Sequence, residues 1–505
     1  MDIGRMLLGR IRSGEIRTQE ALEVEKVRLA GDLGAGRVIK NAEILEAAEG
    51  GSDYLQMKKF LMTKPVRTSS GIANVAVMWK YKDLAGSCPF SCIYCPQGKD
   101  DTGYVAPKSY TGVEPTTMRA IRNEYDPVRQ ISGRLKQFHM TGHTTDKCEL
   151  IIMGGTFMCT PPSFQSDFIK KCFDAFNGQA SATLEEAHAK NEYAANRCIG
   201  LTLETRADVC MPEKMLSYGC TRVEVGVQCT DDDILMKTKR GHDAMVNVQA
   251  FRSLKNAGFK VCAHWMPGLT GIYGSIDMNK EISMFEELFS SPGYRPDELK
   301  IYPVLVIPGT ELHGMWESGE FAALSNDEMI SLLVEMKKVV PPYVRVKRIM
   351  RDISEKKVSA GAKTTNLRQL AHMRMDELGV KCRCIRCREI RLKDYATCTF
   401  SVMEYGASGG KEMFLSFDAG DSILVRLDDG PAKVRELHVY GRMAPISGSS
   451  NAQHRGFGSM LLEKAEEIAR QNGMGKISVT SGVGVRPYYR KRGYALEGFY
   501  MTKRL

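Results

Sequence analysis

Cys88, Cys92 and Cys95 stand at C-x3-C-x2-C spacing in the run Ser87-Cys-Pro-Phe-Ser-Cys-Ile-Tyr-Cys-Pro96, with Tyr94 just before the third. Three thiolates on one short loop can hold three corners of a 4Fe-4S cube, and the missing fourth protein ligand leaves one iron open to chelate a small molecule. S-adenosylmethionine suits that position. Its amino and carboxylate groups would bind the open iron, and an electron from the cluster would cleave the sulfonium to a 5′-deoxyadenosyl radical. A structural zinc knuckle and unconnected core cysteines are the competing readings, and the spacing favours the cluster over both.

A second cysteine set lies in Lys381-Cys-Arg-Cys-Ile-Arg-Cys-Arg388. Cys382, Cys384 and Cys387 suit a compact structural zinc site, with the arginines between them held outward toward a polyanion. Cys398 or His372 could supply the fourth ligand. Unliganded thiols are the alternative, because C-x-C-x2-C is less specific than paired knuckles.

A third chemical signal is Gln453-His-Arg-Gly-Phe-Gly458, directly before a predicted amphipathic helix from Ser459 to Gln471. Glycines at a helix start expose backbone N–H groups that can bind a pyrophosphate. Q-x-x-G-x-G before a helix is the acetyl-coenzyme A loop of Gcn5-related (GNAT) acetyltransferases, although a glycine turn that only caps a helix gives the same letters. A predicted strand at Glu436-Leu-His-Val439 would pair with the pantetheine arm, and Tyr488-Tyr489 would meet the thioester end.

The elements that must position these groups are legible as β-rich runs separated by helical stretches: Ile72–Trp79, Leu150–Met153, Leu201–Glu204, Val223–Val227, Lys260–Trp265 and Leu299–Val306. Such alternation predicts an α/β fold with a parallel (β/α) barrel or partial barrel. The cysteine loop follows the first strand, at the C-terminal rim where such barrels keep their chemistry. Residues 1 to about 60 read as amphipathic helices of mixed charge. After Cys398 a different α/β unit begins, with strands near Phe414–Phe417 and Val434–Val439.

Composition fits this division. The 505 residues are 43% hydrophobic and 26% charged, enough for two or three globular domains. The absence of a long apolar stretch or a signal-peptide pattern predicts a cytosolic protein with no membrane partner. Fifteen cysteines then imply metal ligation and buried thiols rather than disulfides. The net charge is +10, and the segment from Arg345 to Lys393, with fifteen basic residues against five acids, carries the whole surplus. That bias predicts a phosphate-neutralising surface with nucleic acid as partner, the alternative being a solvated charged face.

Several collinear motifs resemble one known family. Cys88-Pro-Phe-Ser-Cys-Ile-Tyr-Cys95, Ser109-Tyr-Thr-Gly-Val-Glu-Pro115, Met153-Gly-Gly-Thr-Phe-Met158, Lys300-Ile-Tyr-Pro303, Glu436-Leu-His-Val-Tyr-Gly441 and Ser481-Gly-Val-Gly-Val-Arg-Pro-Tyr-Tyr-Arg490 look like the Elongator catalytic subunit, with coverage from about Lys64 to Leu505. The resemblance implies a tRNA-modifying enzyme: an N-terminal helical region (1–63), a radical S-adenosylmethionine domain (64–370), a zinc-bearing basic linker (371–398) and a GNAT domain (399–505). Its activity would convert the wobble uridine of the anticodon loop to 5-carboxymethyluridine. A 5′-deoxyadenosyl radical would take hydrogen from the acetyl methyl of acetyl-coenzyme A, the carbon radical would add to uracil carbon 5, and loss of an electron and a proton, then thioester hydrolysis, would leave a carboxymethyl group. A wobble base is single-stranded and can be splayed into a pocket.

By the same resemblance Cys88, Cys92 and Cys95 hold the cluster. Gly154 and Gly155 would approach the methionine amino group of S-adenosylmethionine, with Glu204 and Arg206 as further contacts. Lys147 would meet acetyl-coenzyme A from the radical domain. Glu436, Leu437, His438, Val439, Phe457, Gly458, Ser459 and Tyr489 would hold it in the C-terminal domain, with His438, Tyr488 and Tyr489 handling the thioester. Lys64 and Arg67 would meet tRNA. The chain departs from the family at Gln97 and Ala207, and its short first cysteine spacing and intact Cys382-Cys384-Cys387 set are like stand-alone prokaryotic members, implying activity without a multi-subunit assembly. A protein lysine acetyltransferase and a non-catalytic tRNA-binding scaffold are the rival functions.

Overall fold

The structure is a computed structural model that describes residues 2–63, 68, 70–81, 88–100, 103–389, 399–417, 421–428, 430–440 and 456–505. The expectations placed on Lys64, Arg67, Cys398, Gln453, His454 and Arg455 lie outside these residues.

Seven strands form one open parallel sheet in chain order: β1 (Ala73–Met78), β2 (Lys147–Met153), β3 (Arg197–Thr205), β4 (Arg222–Gln228), β5 (Lys260–Trp265), β6 (Glu298–Ile301) and β7 (Arg345–Ile349). Alternation splits each strand between two faces. Val75, Val77, Leu150, Ile152, Leu201, Val223, Val225, Val261, Leu299 and Val346 are fully buried in the main hydrophobic core. The opposite face carries Glu149, Glu204, Arg222, Glu224, Lys260, Cys262, His264, Glu298, Lys300 and Lys347. A partial barrel built this way has an apolar exterior under its helices and a charged lumen, where such barrels ordinarily stack branched aliphatic side chains.

The structure departs from the sequence expectations at three points. Six strands were expected and seven form, because β7 reads Arg-Val-Lys-Arg-Ile and its basic residues mask a strand. The predicted Leu299–Val306 strand is also shorter, ending at Ile301, with Leu305–Val306 pairing separately and antiparallel to Ala360–Gly361. The basic segment is accordingly not one phosphate-facing surface. Arg345 is buried against Glu389 at 2.5 Å, Lys347 lies 3.3 Å from Glu298 and 3.6 Å from Glu224, and Arg348 pairs with Asp352. Among the described residues, Lys356, Lys357, Arg374, Lys381 and Arg383 are its exposed basic members.

The second sheet contains β8 (Phe400–Ala407), β9 (Gly410–Phe417), β10 (Ser422–Leu427), β11 (Ala432–His438), β12 (Lys476–Val479), β13 (Ala495–Glu497) and β14 (Tyr500–Arg504), in the order β8-β9-β10-β11-β12-β14-β13. β11 and β12 pair in parallel only from Ala432 to Val434. Beyond Val434 they diverge, and among the described residues no strand pairs with Glu436–His438 on that side.

This sheet docks on the N-terminal ends of the barrel strands. Arg435 of β11 makes a bidentate ion pair with Asp297 at 2.6 and 2.7 Å, and both side chains are fully buried. Tyr405 stacks on Tyr343 at 4.1 Å, and Glu192 receives Arg486 and Arg490. At Gly482 any side chain is excluded, since a Cβ would stand 2.0 Å from the Ile199 carbonyl oxygen. Four helices, Ile3–Arg12, Gln19–Asp32, Asn41–Ala47 and Tyr54–Leu61, build a separate small core ahead of β1.

Candidate active site

The cysteine loop follows β1 and lies over the C-terminal ends of the barrel strands, where it opens on a cavity of about 150 Å³. Cys88, Cys92, Cys95, Gly155, Glu204 and Arg206 all line it. Each sulfur has its own polar partner from a different element. Thr156 donates to Cys88 Sγ at 3.4 Å, Arg206 and Arg240 point to Cys92 Sγ at 3.6 and 3.7 Å, and Ser109 meets Cys95 Sγ at 3.1 Å. Lys108 Nζ ties the loop down by donating to the carbonyls of Cys88 and Phe90 at 2.8 and 3.0 Å.

Those donors suit sulfurs that carry negative charge. Burial pushes the Cys95 thiol up while Ser109 opposes it, and a bound iron cluster would offset that cost by taking the thiolate. The three residues therefore fit a cluster in their chemistry and in opening together on a ligand-sized space. Glu204 accepts from Tyr110 at 2.9 Å, and Arg206 is held by Asp208 and by the Arg240 carbonyl while stacking 3.4 Å over Phe90. Arg206 thus supports the cysteine loop as well as lining the cavity. Gly154 does not line it; at φ +129° its Cα faces the Trp79 indole, 2.7 Å from where a Cβ would stand.

A second cavity, of about 110 Å³, lies at the other end of the barrel where β11 and β12 diverge. Glu436, Leu437, His438, Ser481, Gly482 and Tyr489 line it from the C-terminal domain, and Glu149, Arg222 and Lys260 from the barrel. Burial alone would raise the Glu436 carboxyl, but Lys260 and then His438 outweigh it and hold it down at about 2. His438 has both ring nitrogens engaged, Nε2 with the Ser70 carbonyl at 3.0 Å and Nδ1 with Glu436 at 3.6 Å, and its ring stacks on Tyr440 at 4.0 Å.

The helix Phe457–Gln471 starts beside this cavity after Gly456, whose φ of +92° is left-handed. A Cβ on Gly458 would stand 3.3 Å from the Tyr488 hydroxyl and 3.7 Å from Val439, so glycine keeps the first turn open. Ser459 accepts from Arg492 at 2.6 Å, Arg492 lies 3.6 Å over the Tyr488 ring, and Phe457 packs edge-on to Phe417. Tyr489 is buried, which raises its hydroxyl well above its ordinary value. Lys147, at the start of β2, shares a strand face with Glu149, one step outside the lumen; burial lowers its ammonium to about 8, with Asp146 opposing.

The second cysteine set closes on itself. The sulfurs of Cys382, Cys384 and Cys387 lie within 4.8 Å of one another, and His372 Nε2 is 3.7 Å from Cys387 Sγ. Hydrogen bonds from Cys382 and Cys387 hold the Cys384 thiol far below its ordinary value. This donor set fits a single soft ion.

The comparisons with known proteins agree with this geometry. The Radical SAM superfamily matches residues 84–274, the Radical_SAM C-terminal domain 296–377 and the Acetyltransferase (GNAT) family 428–494. Elongator complex protein 3 of Homo sapiens is 40% identical, across 100% of this chain and 97% of that protein. The chain belongs to the Elongator complex protein 3 family. The tRNA uridine(34) acetyltransferase of Methanocaldococcus infernus is 43% identical over 92% of this chain and 91% of its own. A solved structure of the M. infernus family member, lacking residues 1–46, matches with a TM-score of 0.74 at 39% identity, covering 86% of this chain and all of that one.

Sequence reasoning missed Lys108, Arg240 and Thr156 around the cysteines, and the lumen charges altogether. The latter had a readable signal: Arg-x-Glu-x-Gly-x-Gln in β4, Lys-x-Cys-x-His in β5 and Glu-x-Lys-x-Tyr from β6 onward put polar residues at every second position of otherwise apolar strands.

Proposed function

We propose that this protein modifies the wobble uridine of tRNA, joining an acetyl-derived carboxymethyl group from acetyl-coenzyme A to uracil carbon 5. The observation that carries the reading is the pairing of a cysteine-lined cavity and an acetyltransferase cavity at opposite ends of one barrel. Cys88, Cys92 and Cys95 would hold a 4Fe-4S cluster that, with S-adenosylmethionine, supplies a 5′-deoxyadenosyl radical. Arg206, Arg240, Thr156 and Ser109 stabilise the thiolates, and Glu204 with Gly155 receives the methionine end.

In the second cavity the strand end Glu436–Val439, where β11 diverges from β12, receives the pantetheine arm, and the open first turn at Phe457–Ser459 receives the pyrophosphate. Tyr488 and Tyr489 flank the thioester. His438, with both nitrogens engaged, orients Glu436 rather than moving a proton itself. A lysine acetyltransferase needs a free base and an open face for a protein substrate; Glu436 is held ionised by Lys260, with a carboxyl at about 2, and the cavity is roofed by the barrel. One zinc ion on Cys382, Cys384, Cys387 and His372 would fasten the linker to β7, where the Ile385 N–H already bonds the Val344 carbonyl at 2.9 Å. The exposed lysines and arginines of that segment would meet phosphates. The protein would act in the cytosol and without an Elongator-like assembly.

Nucleoside analysis by mass spectrometry tests this. Reconstituted protein with S-adenosylmethionine, reductant, acetyl-coenzyme A and unmodified tRNA is expected to yield 5-carboxymethyluridine, and Cys92→Ala none. Acetyl-lysine as the product, or tRNA binding with no product, would refute the proposal.

A further inference from the structure

The two cavities do not merge. Between them lies a chain of alternating charges in which Glu224, Glu298, Lys300 and Lys347 line neither cavity. From the cysteine end, Glu204 faces Lys300 at 3.7 Å, Lys300 bonds Glu224, and Glu224 also meets His264 at 2.9 Å and Lys347 at 3.6 Å. Lys347 then faces Glu298 at 3.3 Å, Glu298 meets Arg222 at 2.8 Å and Lys260 at 3.1 Å, and Lys260 bonds Glu436 in the acetyltransferase cavity. Each terminal carboxylate lines a cavity, and every link between them is an ion pair.

Two features make this chain able to shift rather than merely fill space. Lys347 Nζ, Glu224 Oε1, Glu298 Oε2 and Arg222 Nε are buried without a hydrogen bond, although each lies near an opposite charge. Buried ionic groups left partly satisfied are costly, and an aliphatic lumen would have avoided the cost. The two domains meanwhile cannot readily slide, since Arg435 and Asp297 lock them through a fully buried bidentate pair. Communication between the cavities therefore runs through the lumen and not through domain movement.

We propose that the lumen ion-pair chain couples the occupancy of the two cavities, so that a cationic ligand group at Glu204 and the anionic coenzyme at Glu436 favour each other. A cation that engages Glu204 releases Lys300 wholly to Glu224. Lys347 is then freed toward Glu298, and Arg222 and Lys260 toward Glu436, which brings positive charge to the cavity that takes a polyphosphate thioester. The reverse displacement exposes Glu204 when the coenzyme arrives first. Linkage requires the two effects to be equal. This inference rests on the assignment of the two ligands to the two cavities made above.

Calorimetry on the anaerobically reconstituted full-length protein, without reductant or tRNA, tests both layers separately. The probes are S-adenosylmethionine and the non-hydrolysable S-ethyl coenzyme A. Each binding alone supports the cavity assignments, and failure of either to bind overturns them and the coupling with them. Saturating S-adenosylmethionine is expected to tighten S-ethyl coenzyme A about fivefold or more, with the reciprocal factor equal. In the charge-balanced variant Lys300→Met/Glu224→Gln each ligand is expected to bind alone as in the wild type, with the factor reduced to about 1. Independent binding in the wild type overturns the coupling without any variant, and a factor that survives in a folded double variant overturns the lumen route.

Discussion

The cavity at the cysteine end and the cavity at the acetyltransferase end differ in how they are assembled. The first is built within one domain, around the loop that carries Cys88, Cys92 and Cys95, braced by Lys108, Ser109, Thr156, Arg206 and Arg240. The second exists only because two domains meet: Lys260 and Arg222 come from the barrel, while Glu436 and His438 come from the other sheet and Tyr489 from the helix Arg486–Arg490 beside it. A site on one loop depends on its own ligands. A site between domains depends on the lock that holds them, and its charges are set by residues far away in sequence.

The largest break in this comparison is expected from Cys92→Ala. Loss of groups around a metal's ligands typically lowers affinity or activity about 10–100-fold, and removing a ligand outright should exceed that, eliminating iron-sulfur absorbance and product while acetyl-coenzyme A still binds. Asp297→Ala strikes the other cavity through its lock. It leaves Lys255 buried without a carboxylate and Arg435 with Glu412 alone, which should cost about 3–5 kcal/mol in urea unfolding and weaken acetyl-coenzyme A binding. An unchanged midpoint would mean that the domains do not need the pair.

Gly458→Val should act on one cavity alone. Its side chain would press on the Tyr488 hydroxyl and Val439, raising KM for acetyl-coenzyme A about tenfold, or roughly 1.4 kcal/mol, with binding of S-adenosylmethionine by itself unaltered. The smallest effect is a pH dependence. Lys147, lowered by burial to about 8, is cationic below that pH and neutral above it, so affinity for the anionic coenzyme should fall a few-fold as pH rises through 8. Lys147→Arg should remove the fall and Lys147→Met the affinity it reports. Because the unfolded chain binds this proton more tightly than the folded one, Lys147 opposes folding at neutral pH, and stability should rise between about 8 and its ordinary 10.5.

The same contrast explains what the sequence revealed. Cys88, Cys92 and Cys95 are contiguous, so their chemistry could be read before any fold was known. Arg206 and Arg240, more than a hundred residues away, bear on Cys92 only because β3 and β4 end at the same rim. β7 was hidden because a strand whose three basic residues are each taken up by acids, Lys347 by Glu224 and Glu298, Arg345 by Glu389 and Arg348 by Asp352, looks in one dimension like a surface for phosphate. Its alternation is also broken, since Lys347 and Arg348 stand side by side where the register with β6 shifts. Arg435 and Asp297, 138 residues apart, have no one-dimensional signal, since nothing local distinguishes a buried ion pair from two surface charges. His372 stood as one of two options for a fourth ligand, and its approach to Cys387 required the helix Leu367–Glu377 to be in place.

The central claim is that the two cavities serve one reaction. Acetyl-coenzyme A deuterated in its methyl group, incubated anaerobically with reconstituted protein, S-adenosylmethionine, reductant and unmodified tRNA, tests it most directly. Deuterium should appear in 5′-deoxyadenosine, together with an acetyl-derived substituent on uridine carbon 5. Unlabelled 5′-deoxyadenosine alongside intact deuterated acetyl groups on protein amines would contradict it.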